Sequence, residues 1–83
     1  MDIDRDKIDD CTLALLYLVS FRNHSVARAW KSFDWETMNR LHEKGYISDP
    51  KGKARSVVLS EEGSSRAEEL FEDFFAKRGG DSE

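Results

Sequence analysis

Five cations in the middle of the chain have the types and spacing to grip phosphate. Arg40 and Lys44 stand four residues apart, about one helical turn, and Lys51, Lys53 and Arg55 follow within five residues of one another. Each cation that neutralises a phosphate releases counterions, so such a set would bind nucleic acid with an affinity that falls steeply with salt. Asn39 and Arg40 carry the side chains that pair with adenine and guanine edges. Catalytic patterns are missing by contrast. His42-Glu43 lacks the second histidine of a zinc-protease helix, no Gly-rich phosphate loop is present, and Ser56, Ser64 and Ser65 lack an elbow motif. The single cysteine, Cys11, lies on an apolar helix face, where a thiol more often serves as a small hydrophobe than as a nucleophile. No catalytic residue, metal ligand or cofactor site is therefore assigned. A chain of 83 residues seldom builds the concave pocket an enzyme needs.

These cations need elements to position them. Asp34 is a good N-cap, with Phe33 before it and Met38 after it at hydrophobic-staple spacing. Gly45 after Lys44 fits a left-handed residue that ends a helix. A helix over 34–44 follows, with Met38 and Leu41 inward and Arg40 and Lys44 outward. Tyr46-Ile47-Ser48 reads as a strand, Asp49–Lys53 as a turn, and Arg55–Leu59 as a returning antiparallel strand.

The first helix spans residues 4 to about 22, capped by Asp4 or Asp6. Ile8, Cys11, Leu15, Leu18 and Val19 form its apolar stripe, broadened by Leu13 and Leu16. So wide a stripe implies burial on more than one side, in the domain or against a second copy. Residues 22–25 read as a loop, and 26–33 as either a strand or a short helix. Ser60 caps a last helix running to about Lys77, with Glu61 and Glu62 in its first turn. Ala67, Leu70, Phe71, Phe74 and Phe75 line one face of it, and the three Phe are candidates for a partner interface. A Trp buries so much area that Trp30 and Trp35 are both expected in the core; the competing role is an exposed stacking platform.

The segments RLHEKGYI (40–47), the loop 49–55 and VVLSEEG (57–63) resemble the winged helix-turn-helix superfamily. That resemblance implies a helix in the DNA major groove and a hairpin tip on the backbone. It also implies a dimer through terminal helices. The run AWKSFDWETMNRLHEKGYISDPKGKARSVVLSEEG is similar, more closely, to a small bacterial family known only as a domain of unknown function, which brings no activity with it. The winged-helix pattern usually has two helices between its first strand and the hairpin, whereas one is legible here. The fold expected is α+β: a small winged-helix-like domain of three main helices, a β-hairpin wing and room for a short third strand. One domain covers 1–83, with an ordered core of about 4–77 and a flexible tail at 78–83.

Charge is polarised along the chain. Residues 1–10 hold five acids and two bases, residues 22–59 eight bases and four acids, and residues 60–83 eight acids and three bases, within a net charge of −4. A nucleic-acid binder would look so, and so would helices that carry acids near their N-termini. Met1-Asp2-Ile3-Asp4 is unlike a basic signal-peptide start, no apolar run reaches membrane-spanning length, and one cysteine forms no internal disulfide. The cytoplasm is the expected location. Two readings stand: a module binding double-stranded DNA, or a module binding another protein or a second copy of itself.

Overall fold

The computed structural model describes residues 1–23 and 26–77. The expected loop positions His24 and Ser25, and the flexible tail expected at 78–83, lie outside the described residues. The elements run α1 (Arg5–Leu18), β1 (Phe21–Asn23), β2 (Val26–Trp30), α2 (Trp35–Glu43), β3 (Ser56–Val58) and α3 (Glu61–Phe75). They make a small α+β, winged-helix-like domain. α2 is the one helix between β2 and β3 among the described residues.

Each helix begins on an acceptor side chain, as the sequence implies. Asp4 accepts from the Lys7 amide at 3.0 Å, Asp34 from the Thr37 amide at 3.1 Å, and Ser60 from the Gly63 amide at 2.9 Å. These bonds satisfy donors that a first helical turn leaves unpaired. α2 stops on Gly45, whose φ of 83° costs a glycine little. The Gly45 and Tyr46 amides then donate to the His42 and Leu41 carbonyls at 2.9 and 3.0 Å, the paired closure of a Schellman end.

The sheet is antiparallel, in the order β1-β2-β3. Residues 26–33, open between strand and helix in the sequence, are a strand as far as Trp30, and it is the central one. Two expectations are corrected. Phe21–Asn23 is a strand, so α1 ends four residues earlier than its apolar pattern suggested. Tyr46-Ile47-Ser48 is not a full strand: Ile47 makes a single bridge to Leu59, and the Ser48 amide donates to the Val58 carbonyl at 2.8 Å. The buried Pro50, which has no N–H to donate, lies two residues on. The principal partner of β3 is therefore β2, with Arg28 opposite Val58 and Trp30 opposite Ser56.

Strand alternation sets the two faces of the sheet. Ala27, Ala29 and Val57 point inward and are buried. The two alanines are small enough to let the helices lie close. Leu13, Ala14 and Leu16 of α1, Met38 and Leu41 of α2, Ala67 and Leu70 of α3, and the bridged pair Ile47 and Leu59 join them in the core. Burying each of the larger side chains contributes about 1.5–3 kcal/mol. α1 meets this core on only one side of its expected stripe, the side of Leu13 and Leu16. Asp9, Thr12, Leu13 and Leu16 are buried, while Ile8, Leu18 and Val19 of the anticipated stripe are exposed. Both tryptophans are also displaced from the expected core, at 53% exposure for Trp30 and 52% for Trp35.

α3 runs back along α1, and aromatic rings fill the seam. Tyr17 meets Phe71 at 5.2 Å between centroids, Phe71 meets Phe75 at 5.3 Å, and Lys7 Nζ lies 4.5 Å from the Phe74 centroid. At its start, α3 presses on the exit from α2. A Cβ on Gly63 would fall 2.0 Å from the Tyr46 carbonyl oxygen. Ser60 ties the same corner, donating from its amide to Tyr46 O at 3.0 Å and from its hydroxyl to Gly45 O at 2.7 Å.

Candidate nucleic-acid interface

The five cations divide into two groups. Arg40 and Lys44 face α1 and close on Asp9, which is 1% exposed. Arg40 Nε donates to both Asp9 oxygens at 2.9 and 3.1 Å, and its Nη2 lies 2.8 Å from Oδ1. Lys44 Nζ sits 2.9 Å from Asp9 Oδ2 and 3.2 Å from Asp6 Oδ1. Arg40 also donates to Thr37 Oγ1 at 3.1 Å, and Thr37 donates to the capping carboxylate of Asp34 at 2.9 Å. A continuous polar chain thus runs from the start of α2 to its end and rivets it to α1. Burial pushes the Asp9 carboxyl up, but the hydrogen bonds and charges of Arg40 and Lys44 outweigh it and hold the group below its ordinary value. The Asp9 hydrogen bond in turn raises Arg40 and Lys44 above theirs.

The loop group is different. The Asp49 side chain accepts from the Lys51 amide at 2.9 Å, a local turn that sets the loop's entry. From the sheet, Lys31 Nζ donates to the Pro50 and Gly52 carbonyls, both at 2.6 Å. The Lys31 amide donates to Arg55 O at 3.1 Å. The backbone that carries Lys51, Lys53 and Arg55 is therefore held from beneath. All three residues are exposed, and among the described residues none of their side chains has an ion pair.

Beside this loop lies the outer face of the sheet. Phe21, Arg28, Trp30 and Ser56 project from it, by register and alternation. The Phe21 and Trp30 rings are 5.6 Å apart and inclined at 40°. Arg28 Nε donates to Ser56 Oγ at 2.9 Å, which fixes the guanidinium on that face.

Of the nucleic-acid candidates read from the sequence, Lys51, Lys53 and Arg55 come together on one exposed loop. Arg40 and Lys44 belong instead to the α1–α2 rivet, because Asp9 and Asp6 face them across the helix interface. Asn39 is partly exposed on α2. Of the partner-interface candidates, Phe71 and Phe74 pack against the core and only Phe75 is half exposed, at 50%. Sequence reasoning missed Lys31 as the residue that holds the loop, and Arg28 and Phe21 as companions of Trp30 on the outer sheet face. Val26 and Arg28 alternating with two alanines was the available signal for a half-buried strand. Among the described residues, no group of three or more His, Cys, Asp or Glu side chains could hold a metal ion, and no helix is long and apolar enough to cross a membrane.

The family model described as Domain of unknown function (DUF6429) matches residues 4–77. An uncharacterized protein, y4hR, of Sinorhizobium fredii (strain NBRC 101917 / NGR234) is 53% identical over 77 residues, which cover 93% of this chain and 100% of that relative. No solved structure matches the chain.

Proposed function

We propose, for a chain that belongs to the DUF6429 family, a non-enzymatic role as a nucleic-acid-binding module that grips the phosphate backbone with Lys51, Lys53 and Arg55. The observation that carries this reading is the contrast in pairing. These three cations stand exposed and without ion pairs among the described residues, on a loop that Lys31 and Asp49 hold in shape. Unpaired cations on a braced loop can exchange counterions for phosphates at little ordering cost. With Arg40 bonded to Asp9, α2 has lost its strongest base reader, so this mode is sequence-tolerant backbone binding. Such a role implies the cytoplasm, where a bacterial chain meets nucleic acid.

Fluorescence anisotropy with a labelled 20-base-pair DNA duplex, titrated from low to moderate salt, tests the reading. Three phosphate contacts give a slope of log K against log salt of about −2.7. Replacing Lys51, Lys53 and Arg55 by Glu abolishes that binding. Absence of binding to duplex and to single strands at low salt, or binding indifferent to the triple substitution, refutes it.

A second reading rests on a separate observation. Ile3 and Ile8 are exposed beside Cys11, Leu15 and Phe33, which together line an apolar groove along α1. Apolar surface of this kind marks sites of protein contact. A second copy of the chain would cover it, and sedimentation equilibrium would then report a dimer that Ile8→Asp returns to monomer.

A further inference from the structure

We infer that the outer face of the sheet is a stacking platform for unpaired bases, so that the preferred ligand is a single strand of nucleic acid. This rests on the phosphate-gripping reading of the loop and adds to it the class of nucleic acid.

An aromatic side chain contributes to folding mainly by burying its ring, yet Trp30 is 53% and Phe21 38% exposed. The inward residues Ala27, Ala29 and Val57 already close the core on the other side of the sheet. The two rings therefore lie side by side, 5.6 Å apart, on a surface the fold does not cover. An exposed sheet face carrying adjacent aromatic rings is what unpaired bases stack upon, because every base offers a π-face once it leaves the duplex.

Charge selects among occupants. Arg28 sits between Phe21 and Val58 in the ladder, with its guanidinium held by Ser56. A wholly apolar partner surface would have to bury that cation. A nucleic acid would instead receive it against a phosphate or stack on its plane. The positive loop begins at the platform's edge: Trp30 pairs with Ser56, the residue after Arg55, and precedes Lys31, the residue that holds the loop. At the opposite rim, Val26 and Val58 adjoin Glu61. The face thus has a polarity, with the backbone gripped at the loop end and the bases laid across Phe21 and Trp30. A duplex keeps its base faces stacked inside and cannot use the rings.

The test uses the full chain and two probes, a fluorescein-labelled 12-nucleotide oligothymidylate and the same strand annealed to oligoadenylate. The wild type is expected to bind the single strand at least tenfold more tightly than the duplex. Trp30→Ala and Phe21→Ala are each expected to weaken single-strand binding about tenfold while leaving duplex binding unchanged. Because a ring-to-Ala change could disturb the sheet, a Trp35→Phe chain supplies a second measurement that leaves the platform intact. In it Trp30 is the sole tryptophan, and its emission should be quenched as oligothymidylate binds. Equal affinity for both probes, with Trp30→Ala silent and no quenching, overturns the platform while sparing the loop reading. Loss of all binding, or binding indifferent to the Lys51, Lys53 and Arg55 to Glu substitutions, overturns both. A concentration-dependent dimer that Trp30→Ala dissociates also overturns the platform, since a second copy would then own the face.

Discussion

Arg40 and Lys44 on one side, Lys51, Lys53 and Arg55 on the other, are separated by only six residues of chain yet serve opposite ends. The first two look across at α1 and find Asp9 and Asp6. The other three stand exposed on a loop whose Pro50 and Gly52 carbonyls are taken by another cation, Lys31. Charge and spacing are similar in the two groups. What differs is whether a carboxylate stands on the neighbouring element, and that converts a cation from a contact with solvent or ligand into a strut between helices.

The comparison breaks first at Asp9. Replacing Asp9 by Ala removes the shared acceptor of two part-exposed cations and should cost about 2 kcal/mol in urea denaturation, the range of hydrogen bonds to charged groups. Lys51→Ala should change stability by no more than about 0.5 kcal/mol. A cost below about 1 kcal/mol at Asp9 would mean that the helices are held by their apolar contacts alone.

The converse comes next. Changing Lys51, Lys53 and Arg55 to Glu should lower affinity for single-stranded oligothymidylate at least 100-fold, about 2.7 kcal/mol, with the urea midpoint nearly unmoved. A large fall in the midpoint would show the loop cations to be structural as well.

Acid sharpens the contrast further. The folded state holds the Asp9 carboxyl below its ordinary value. Its contribution is therefore complete above the unfolded range, near pH 4, and drains away as pH falls through the lower folded value. Lys44 is shifted upward, so its contribution lasts to the ordinary lysine range and fades only above about pH 10.4. Stability against pH should show a plateau between these limits, and Asp9→Asn should flatten the acid limb. An acid limb unchanged in Asp9→Asn would assign it to other carboxylates.

The smallest effect is expected at Lys31. Lys31→Met keeps the aliphatic stem but removes the donors to Pro50 and Gly52. Stability should fall by about 1 kcal/mol or less, while amide exchange through 51–55 quickens. Unchanged exchange would show that the Asp49 turn is sufficient to hold the loop.

What the sequence made legible follows the range of the forces involved. Asp34, Gly45 and Ser60 were readable as helix ends because a cap is settled by hydrogen bonds within a few residues. The inward positions Ala67 and Leu70 followed from helical spacing alone. On α1, Leu13 and Leu16 were legible as part of a broad apolar stripe but Asp9 and Thr12 were not, because Ile8, Cys11, Leu15 and Leu18 outscore a face that contains them. Asp9 is tolerable inside only because Arg40 arrives from 31 residues away. β1 is three residues long, too short for a period, and is defined by its pairing to β2. The loop cations were visible as turn chemistry, whereas the meeting of Phe21 with Trp30 is a cross-strand event that no local window contains.

The glycine at position 63 has a consequence for how the molecule comes apart. With the Tyr46 carbonyl where a methyl group would have to be, the last helix cannot peel from the second without uncovering the Ser60 bonds to Gly45 and Tyr46 in the same motion. The Ser60 amide should then exchange only when that whole corner opens, and a library randomised at codon 63 should return glycine almost alone among folded clones.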